Sequence, residues 1–212
     1  KKHDKKFAKF LRKEAKTKYC DEESPLTHMR NTIADYLHRT NEIERYNVDY
    51  NECLKSAENL MQGLPSKFVT NDKHINTQCD LMKTAFFLKN MDSPYKMIRL
   101  HKAFDPNTLE RGTPGEFRNI PHSSPMGQQY CKPDMLFKGL RKLSNIEDPY
   151  LKHIIYEWVH PFWDGNGRSG RIILLSDLSF DFEKMLSFIS EENYIPTLQE
   201  FMSKNDIAKM LF

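Results

Sequence analysis

The sequence predicts a mainly α protein, a bundle of eight or more helices broken by one loop or short hairpin. Two observations carry that reading. Glycine is scarce, 8 of 212 residues, and lies almost wholly after residue 110, which favours helix through the first half. Apolar residues also recur at helical spacing between start and stop signals.

Residues 4–18 place Phe7, Phe10, Leu11 and Ala15 on one side and lysines elsewhere, an amphipathic helix. Its lysines read as a solvated face rather than a membrane or nucleic-acid contact. Pro25 opens a second helix, with Met29, Ile33, Tyr36, Leu37 and Ile43 inward, fading near Asn47. A third covers about 50–62 and stops at Gly63-Leu64-Pro65. Asp72 caps a fourth, holding Ile75, Cys79, Met82 and Phe86, and Ser93-Pro94 opens a fifth. Residues 105–133 carry five of the eleven prolines, so helix breaks there into a loop or short hairpin. Helical pattern returns at Met135–Leu143 and again at 148–159; residues 194–212 read as a helical tail.

The bulk properties bound the function. A chain of 212 residues is one generous domain, or one domain with a helical extension, and needs no disulfide or metal staple. A net charge of +3 argues against a dedicated nucleic-acid binder. The four cysteines (Cys20, Cys53, Cys79, Cys131) show no C-x-x-C spacing and read as reduced thiols of a cytoplasmic protein. No run of eighteen apolar residues spans a membrane. The opening KKHDKKFAKF is basic without an apolar h-region, so no secretory signal is expected in it.

Chemistry concentrates in residues 160–171, HPFWDGNGRSGR. Pro161 disfavours helix at the residue before it, so His160 stands at a helix exit. Phe162 plugs the loop into the core, and Gly165-Asn166-Gly167 permits tight turns before a second apolar helix. A glycine-rich turn opening a helix is an anion site. Arg168 and Arg171, three apart, share a helix face, and paired guanidiniums suit phosphate oxygens. Asp164 is a hard oxygen ligand for Mg²⁺, and His160 is a base near pH 7. No Gly-Lys-Ser/Thr follows, so this is not a Walker loop.

The segment resembles the signature of the Fic family, HxFx(D/E)GN(G/K)RxxR, at every fixed position, and the likeness extends over roughly residues 95–180. The resemblance implies a Fic-fold helical bundle with a short β-hairpin flap over the active site. It implies ATP as substrate with Mg²⁺, and transfer of AMP to a Tyr, Thr or Ser hydroxyl of a target protein. On that resemblance His160 is the base and Asp164 holds Mg²⁺. The amides around Gly165, Asn166 and Gly167 form the anion hole, Arg168 steadies the phosphates, and Arg171 meets the γ-phosphate. Residues 93–190 become the Fic core, with 1–92 an N-terminal helical region and 191–212 the tail.

Upstream, Pro114-Gly115-Glu116-Phe117-Arg118 resembles the segment before the family's flap. The flap then occupies about 117–130, with Glu116, Phe117, Arg118, Asn119 and Ile120 docking the target by strand addition. His122 is expected to be exposed within it. Many Fic proteins carry an inhibitory helix with the pattern (S/T)xxxE(G/N). Thr40 and Glu44, on a helix at about 26–46, match it, except that Arg45 stands where Gly or Asn is expected. Ser187 with Glu191 is a second, weaker match. Removal of AMP, transfer of another nucleotide or phosphate group, and a toxin-like nucleotide-binding module remain the alternatives. The sequence leaves open a homo-oligomer.

Overall fold

The computed structural model describes residues 2–65, 70–125, 127–190, 192 and 194–212. Among them lie eleven α-helices: α1 Lys2–Lys18, α2 Pro25–Ile43, α3 Tyr50–Gln62, α4 Lys73–Leu88, α5 Pro94–His101, α6 Leu136–Leu143, α7 Pro149–Val159, α8 Asn166–Asp177, α9 Phe182–Ser190, α10 Tyr194–Lys204 and α11 Ile207–Leu211. Among the described residues no helix is long and apolar enough to cross a membrane.

Local chemistry sets these ends. Asp49, Asp72 and Asp148 each accept hydrogen bonds from first-turn amides of α3, α4 and α7, a cap contributing about 1 kcal/mol. Pro25, Pro94 and Pro149 occupy first-turn positions, where an N–H would lack a helical partner anyway. Gly63 ends α3 in the left-handed region at φ +73°, and a Cβ there would meet the Lys5 backbone at 3.1 Å. One glycine thus stops α3 and lets α1 pass close by.

The central pair is α7 and α8, packed against each other, with α4 also against α8. Helix α2 packs on α3 and α9, which carries its C-terminal end toward the start of α8. The apolar faces read from the sequence are the buried ones: Phe7, Leu11 and Ala15 of α1, Met29, Ile33, Tyr36 and Leu37 of α2, and Ile172, Ile173, Leu174 and Leu175 of α8 are all under 4% exposed. Helix α8 is buried nearly all round, so its first turn is placed by packing rather than by solvent.

One expectation of the fold, the β-hairpin flap, is not shown. No β-ladder forms at 117–130 among the described residues. The segment makes isolated bridges only, Phe117 with Phe162 and Ser123 with Gln129. Pro121 lacks an amide donor beside the paired residues, which limits extension of the pairing. A tight loop forms instead. Its bonds run from Ser124 N to Gln128 O at 2.9 Å and from Tyr130 N to His122 O at 3.1 Å.

Candidate active site

The loop between α7 and α8 is held by bonds to itself and its neighbours. Its first residue, His160, ends α7 as the following proline requires, but in the left-handed region (φ +46°, ψ 60°) rather than the extended one a proline usually imposes. Such a conformation costs of order 1–3 kcal/mol in a non-glycine residue and persists where surroundings enforce it. Its N–H still donates to Tyr156 O at 3.0 Å. The imidazole Nδ1 lies 3.2 Å from Glu157 O. A carbonyl can only accept, so Nδ1 carries the hydrogen and Nε2 keeps its lone pair. Burial pushes the pKa of His160 down to about 3, with His122 and Arg118 adding to the same direction. The ring is therefore a neutral base at any ordinary pH.

The ring lies flat against Tyr130, centroids 4.1 Å apart and planes 1° from parallel. His122, expected to be exposed, is half-buried, its ring 5.5 Å from that of His160. Neither contact has a signal in the sequence. Both depend on the loop folding back over α7.

Phe162 is fully buried and stacks on His101 at 3.7 Å. Asn166 gives both ends of its amide to Phe162: Oδ1 accepts from the Phe162 N–H and Nδ2 donates to its carbonyl, each at 2.9 Å. The Asn166 side chain is thus a clamp on the loop, and its backbone N–H is what remains for an anion. His101 has no ligand spacing in the sequence to mark it. It bridges two loops, Nε2 donating to Asp164 O at 2.9 Å and Nδ1 accepting from Gly115 N at 2.8 Å. Burial pushes its pKa down to about 4, which keeps this tautomer neutral.

Asp164 points to the cleft mouth. Its Oδ1 accepts from Gly165 N at 2.5 Å, and its Oδ2 from Glu110 N at 2.7 Å and Arg168 Nη2 at 3.3 Å. Gly165 precedes α8 at φ +75°, where a Cβ would also strike the Phe104 ring at 2.9 Å.

The two arginines part company. Arg168 does not share a target with Arg171. It is buried, donates Nη1 to Thr108 O at 2.8 Å, and lies over the rings of Phe104 and Tyr46 at 5.0 and 5.4 Å. Three residues of helical spacing place two side chains about 60° apart, enough here to turn one to the core. Arg168 ties Asp164 to the 108 loop. Of the two, Arg171 is the one that faces the cleft.

Arg171 meets the end of α2. Its Nε donates to Thr40 Oγ1 at 2.8 Å, and its Nη2 to Thr40 O at 3.3 Å and Glu44 Oε1 at 2.5 Å. Against the desolvation of burial, the Glu44 carboxylate and the neighbouring groups hold the guanidinium protonated at all accessible pH. A Cβ on Gly167 would stand 2.8 Å from Glu44 Oε1, so the carboxylate lies directly against the first turn of α8. Arg45 follows at φ +62°, with Arg45 N bonded to Glu42 O and Tyr46 N to Asn41 O, the paired bonds of a helix-ending left-handed turn. Gly or Asn would enter this region at less cost than Arg45 does. Arg45→Gly is therefore expected to stabilise the fold by about 0.5–1 kcal/mol, read as a raised urea midpoint at unchanged slope. The rival residue Glu191 lies outside the described residues.

The flap residues divide. Glu116, Asn119 and Ile120 are exposed, and Phe117 is half-buried against Phe162. The side chain of Arg118 cannot dock a target. It is 2% exposed and donates to four main-chain carbonyls: His160 at 2.6 Å, Ile120 at 2.9 Å, Val159 at 3.3 Å, and Cys131. It pins the loop to the end of α7. Arg118→Met would leave those carbonyls unsatisfied and is expected to cost about 2–4 kcal/mol of unfolding free energy by urea denaturation.

His160, Asp164, Gly165, Asn166, Gly167, Arg171 and Glu44 line one cleft of about 320 Å³, together with Glu157, Trp163 and Tyr194. A neutral base thus sits across from a helix mouth and a guanidinium. Residues 90–176 match the model of the Fic/DOC family. The chain carries a Fic domain. Over 55 residues this Fic chain is 38% identical to a probable protein adenylyltransferase of Aquifex aeolicus, a stretch that makes up 26% of this chain and 17% of that one. Its fold is similar to the crystal structure of a Fic family protein from Desulfovibrio desulfuricans, with a TM-score of 0.54 at 14% identity over 83% of this chain and 57% of that one. The Fic chain thus spans little more than half of that structure and a small part of the Aquifex protein, and the structural likeness is one of fold.

Proposed function

We propose that this Fic protein transfers AMP from ATP to a hydroxyl side chain of a target protein, and that Glu44 holds it closed. The observation that carries the reading is the pairing of a bare Nε2 on His160 with an Arg171 corner already filled by a carboxylate. Glu44 rests where a phosphate oxygen would rest, against the amides opening α8 and the guanidinium beside them.

In the reaction proposed, the target hydroxyl gives its proton to His160 Nε2 as its oxygen bonds to the α-phosphorus. The bond from α-phosphorus to the bridging oxygen breaks, and pyrophosphate leaves. Amides at the mouth of α8 meet charge developing on the phosphates. Arg171, once released by Glu44, receives the outermost phosphate. Asp164 would hold the Mg²⁺ that accompanies a nucleoside triphosphate. Asp164 fits it: three N–H donors occupy a carboxylate with about four lone-pair sites, leaving one hard oxygen position at the cleft. The ion supplies charge neutralisation and orientation of the phosphates.

The exposed residues Asn119 and Ile120 are the segment offered to a target strand. The deciding experiment incubates the protein with ATP labelled at the α- or the γ-phosphate. Covalent α-label supports AMP transfer; γ-label alone would make this a phosphotransferase, and the absence of both in an opened variant would reject the enzyme reading.

A further inference from the structure

Glu157 lies on α7 one turn before His160, and its main-chain carbonyl is the group that holds His160 Nδ1. Its side chain does something separate. It lines the same cleft, and its Oε1 is buried with no hydrogen-bond partner among the described residues. A Cβ on Gly170 would collide with that oxygen, so the bare position beside Arg171 is what admits the carboxyl group. The groups facing it are Arg171 from α8, Glu44 from the end of α2, Tyr194 from α10, Tyr130 from the loop, and His153 of its own helix. His153 Nδ1 is 4.0 Å away, beyond hydrogen-bond reach, and the other nitrogen of that ring is engaged by Tyr194 Oη at 2.8 Å.

One guanidinium therefore has two carboxyl groups near it, and of the two Glu44 is the one bonded to it. A buried acid beside a second carboxylate keeps its proton. Burial pushes the pKa of Glu157 up to about 7, against the pull of Arg171 and with the push of Glu44.

We propose that Glu157 is a specificity-determining residue of the phosphate corner: as a neutral acid it accepts the outermost phosphate of the nucleotide beside Arg171, and as a carboxylate it excludes it. The inference rests on the nucleotide reading above. When Glu44 leaves and a phosphate takes its place, negative charge is restored beside Glu157, and the bound state must hold a proton that the free state gives up at higher pH. Nucleotide affinity then falls as pH rises. The effect belongs to a triphosphate, because a diphosphate ends one group short of Arg171.

The test uses Glu44→Gly protein, in which the corner is open, and calorimetric titration with Mg-ATP and Mg-ADP from pH 6 to pH 9. Mg-ATP affinity is expected to fall about tenfold or more across that range, and Mg-ADP affinity by less than about threefold. Adding Glu157→Gln, a neutral isostere, should flatten the Mg-ATP profile to within about twofold, and Glu157→Met should flatten it as well. If the glutamine variant fails to fold, the methionine variant and the ATP-against-ADP contrast in the parent decide the matter. Parallel profiles for ATP and ADP, or the same slope with and without Glu157, overturn the proposal while leaving nucleotide binding intact. No nucleotide binding at any pH overturns the proposed function, and this inference with it.

Discussion

His160→Ala is expected to lower AMP transfer by about 10²–10⁴-fold while leaving Mg-ATP affinity within about twofold. The asymmetry follows from where the ring stands. Its Nδ1 is committed to the Glu157 carbonyl, so Nε2 is the ring nitrogen left to take a proton from the target. With its pKa pushed down to about 3, the ring is neutral and brings no charge to the phosphates, so its loss removes proton transfer and little binding. A protonated imidazole would have served in binding too, and its removal would then weaken both. The same neutrality fixes a pH expectation. Protonation of His160 should impose no fall in rate between pH 8 and pH 5, where a histidine of ordinary pKa would titrate. Labelling of a target by the alanine variant at the parental rate would remove His160 from the chemistry.

The second large effect has two parts of opposite sign. Glu44→Gly is expected to raise labelling with α-labelled ATP by about ten- to a hundredfold, the range of a coupling between two competing states. It should also lower stability by about 3 kcal/mol, because Arg171, 2% exposed at its side chain, loses the carboxylate bonded to it and keeps Thr40. Saturating Mg-ATP should return much of that loss, since phosphate supplies the missing negative charge. Activity up, stability down and ligand rescue together distinguish competition for Arg171 from general loosening of the fold. A loosened fold would gain no labelling. Equal labelling by the parent and the glycine variant would reject Glu44 as the closing residue, even though the ion pair exists.

Much of the fold and of the candidate site is legible in the order of the residues. The helical spacing of Phe7, Leu11 and Ala15, or of Met29, Ile33 and Leu37, reports burial because a helix repeats every 3.6 residues and must cover one face. Caps at Asp49, Asp72 and Asp148 are equally local, since a side chain bonds an amide two or three residues on. The 160–171 loop is a contiguous twelve residues, so His160, Asp164, the glycines and Arg171 can be placed together from the string alone.

Arg168, Arg118, His101, Tyr130 and Glu157 lie beyond such reasoning. Whether an arginine faces a cleft or the core depends on which helix lies over it. Thr108 and Phe104 claim Arg168, and four carbonyls from two separate segments claim Arg118. Local spacing sets Glu157 on α7 one turn before His160 and gives it no role there. What makes it notable is the missing Cβ at Gly170, thirteen residues away.

The amino-acid sequence by itself determined the helices, their buried faces and the residues of the 160–171 loop, because each depends on neighbours a few positions apart. The tertiary structure alone decided which of those residues meet the cleft, and that the end of α2 closes on Arg171 from 127 positions away. Those outcomes depend on competition among donors and acceptors brought together by packing, and no local spacing encodes who wins.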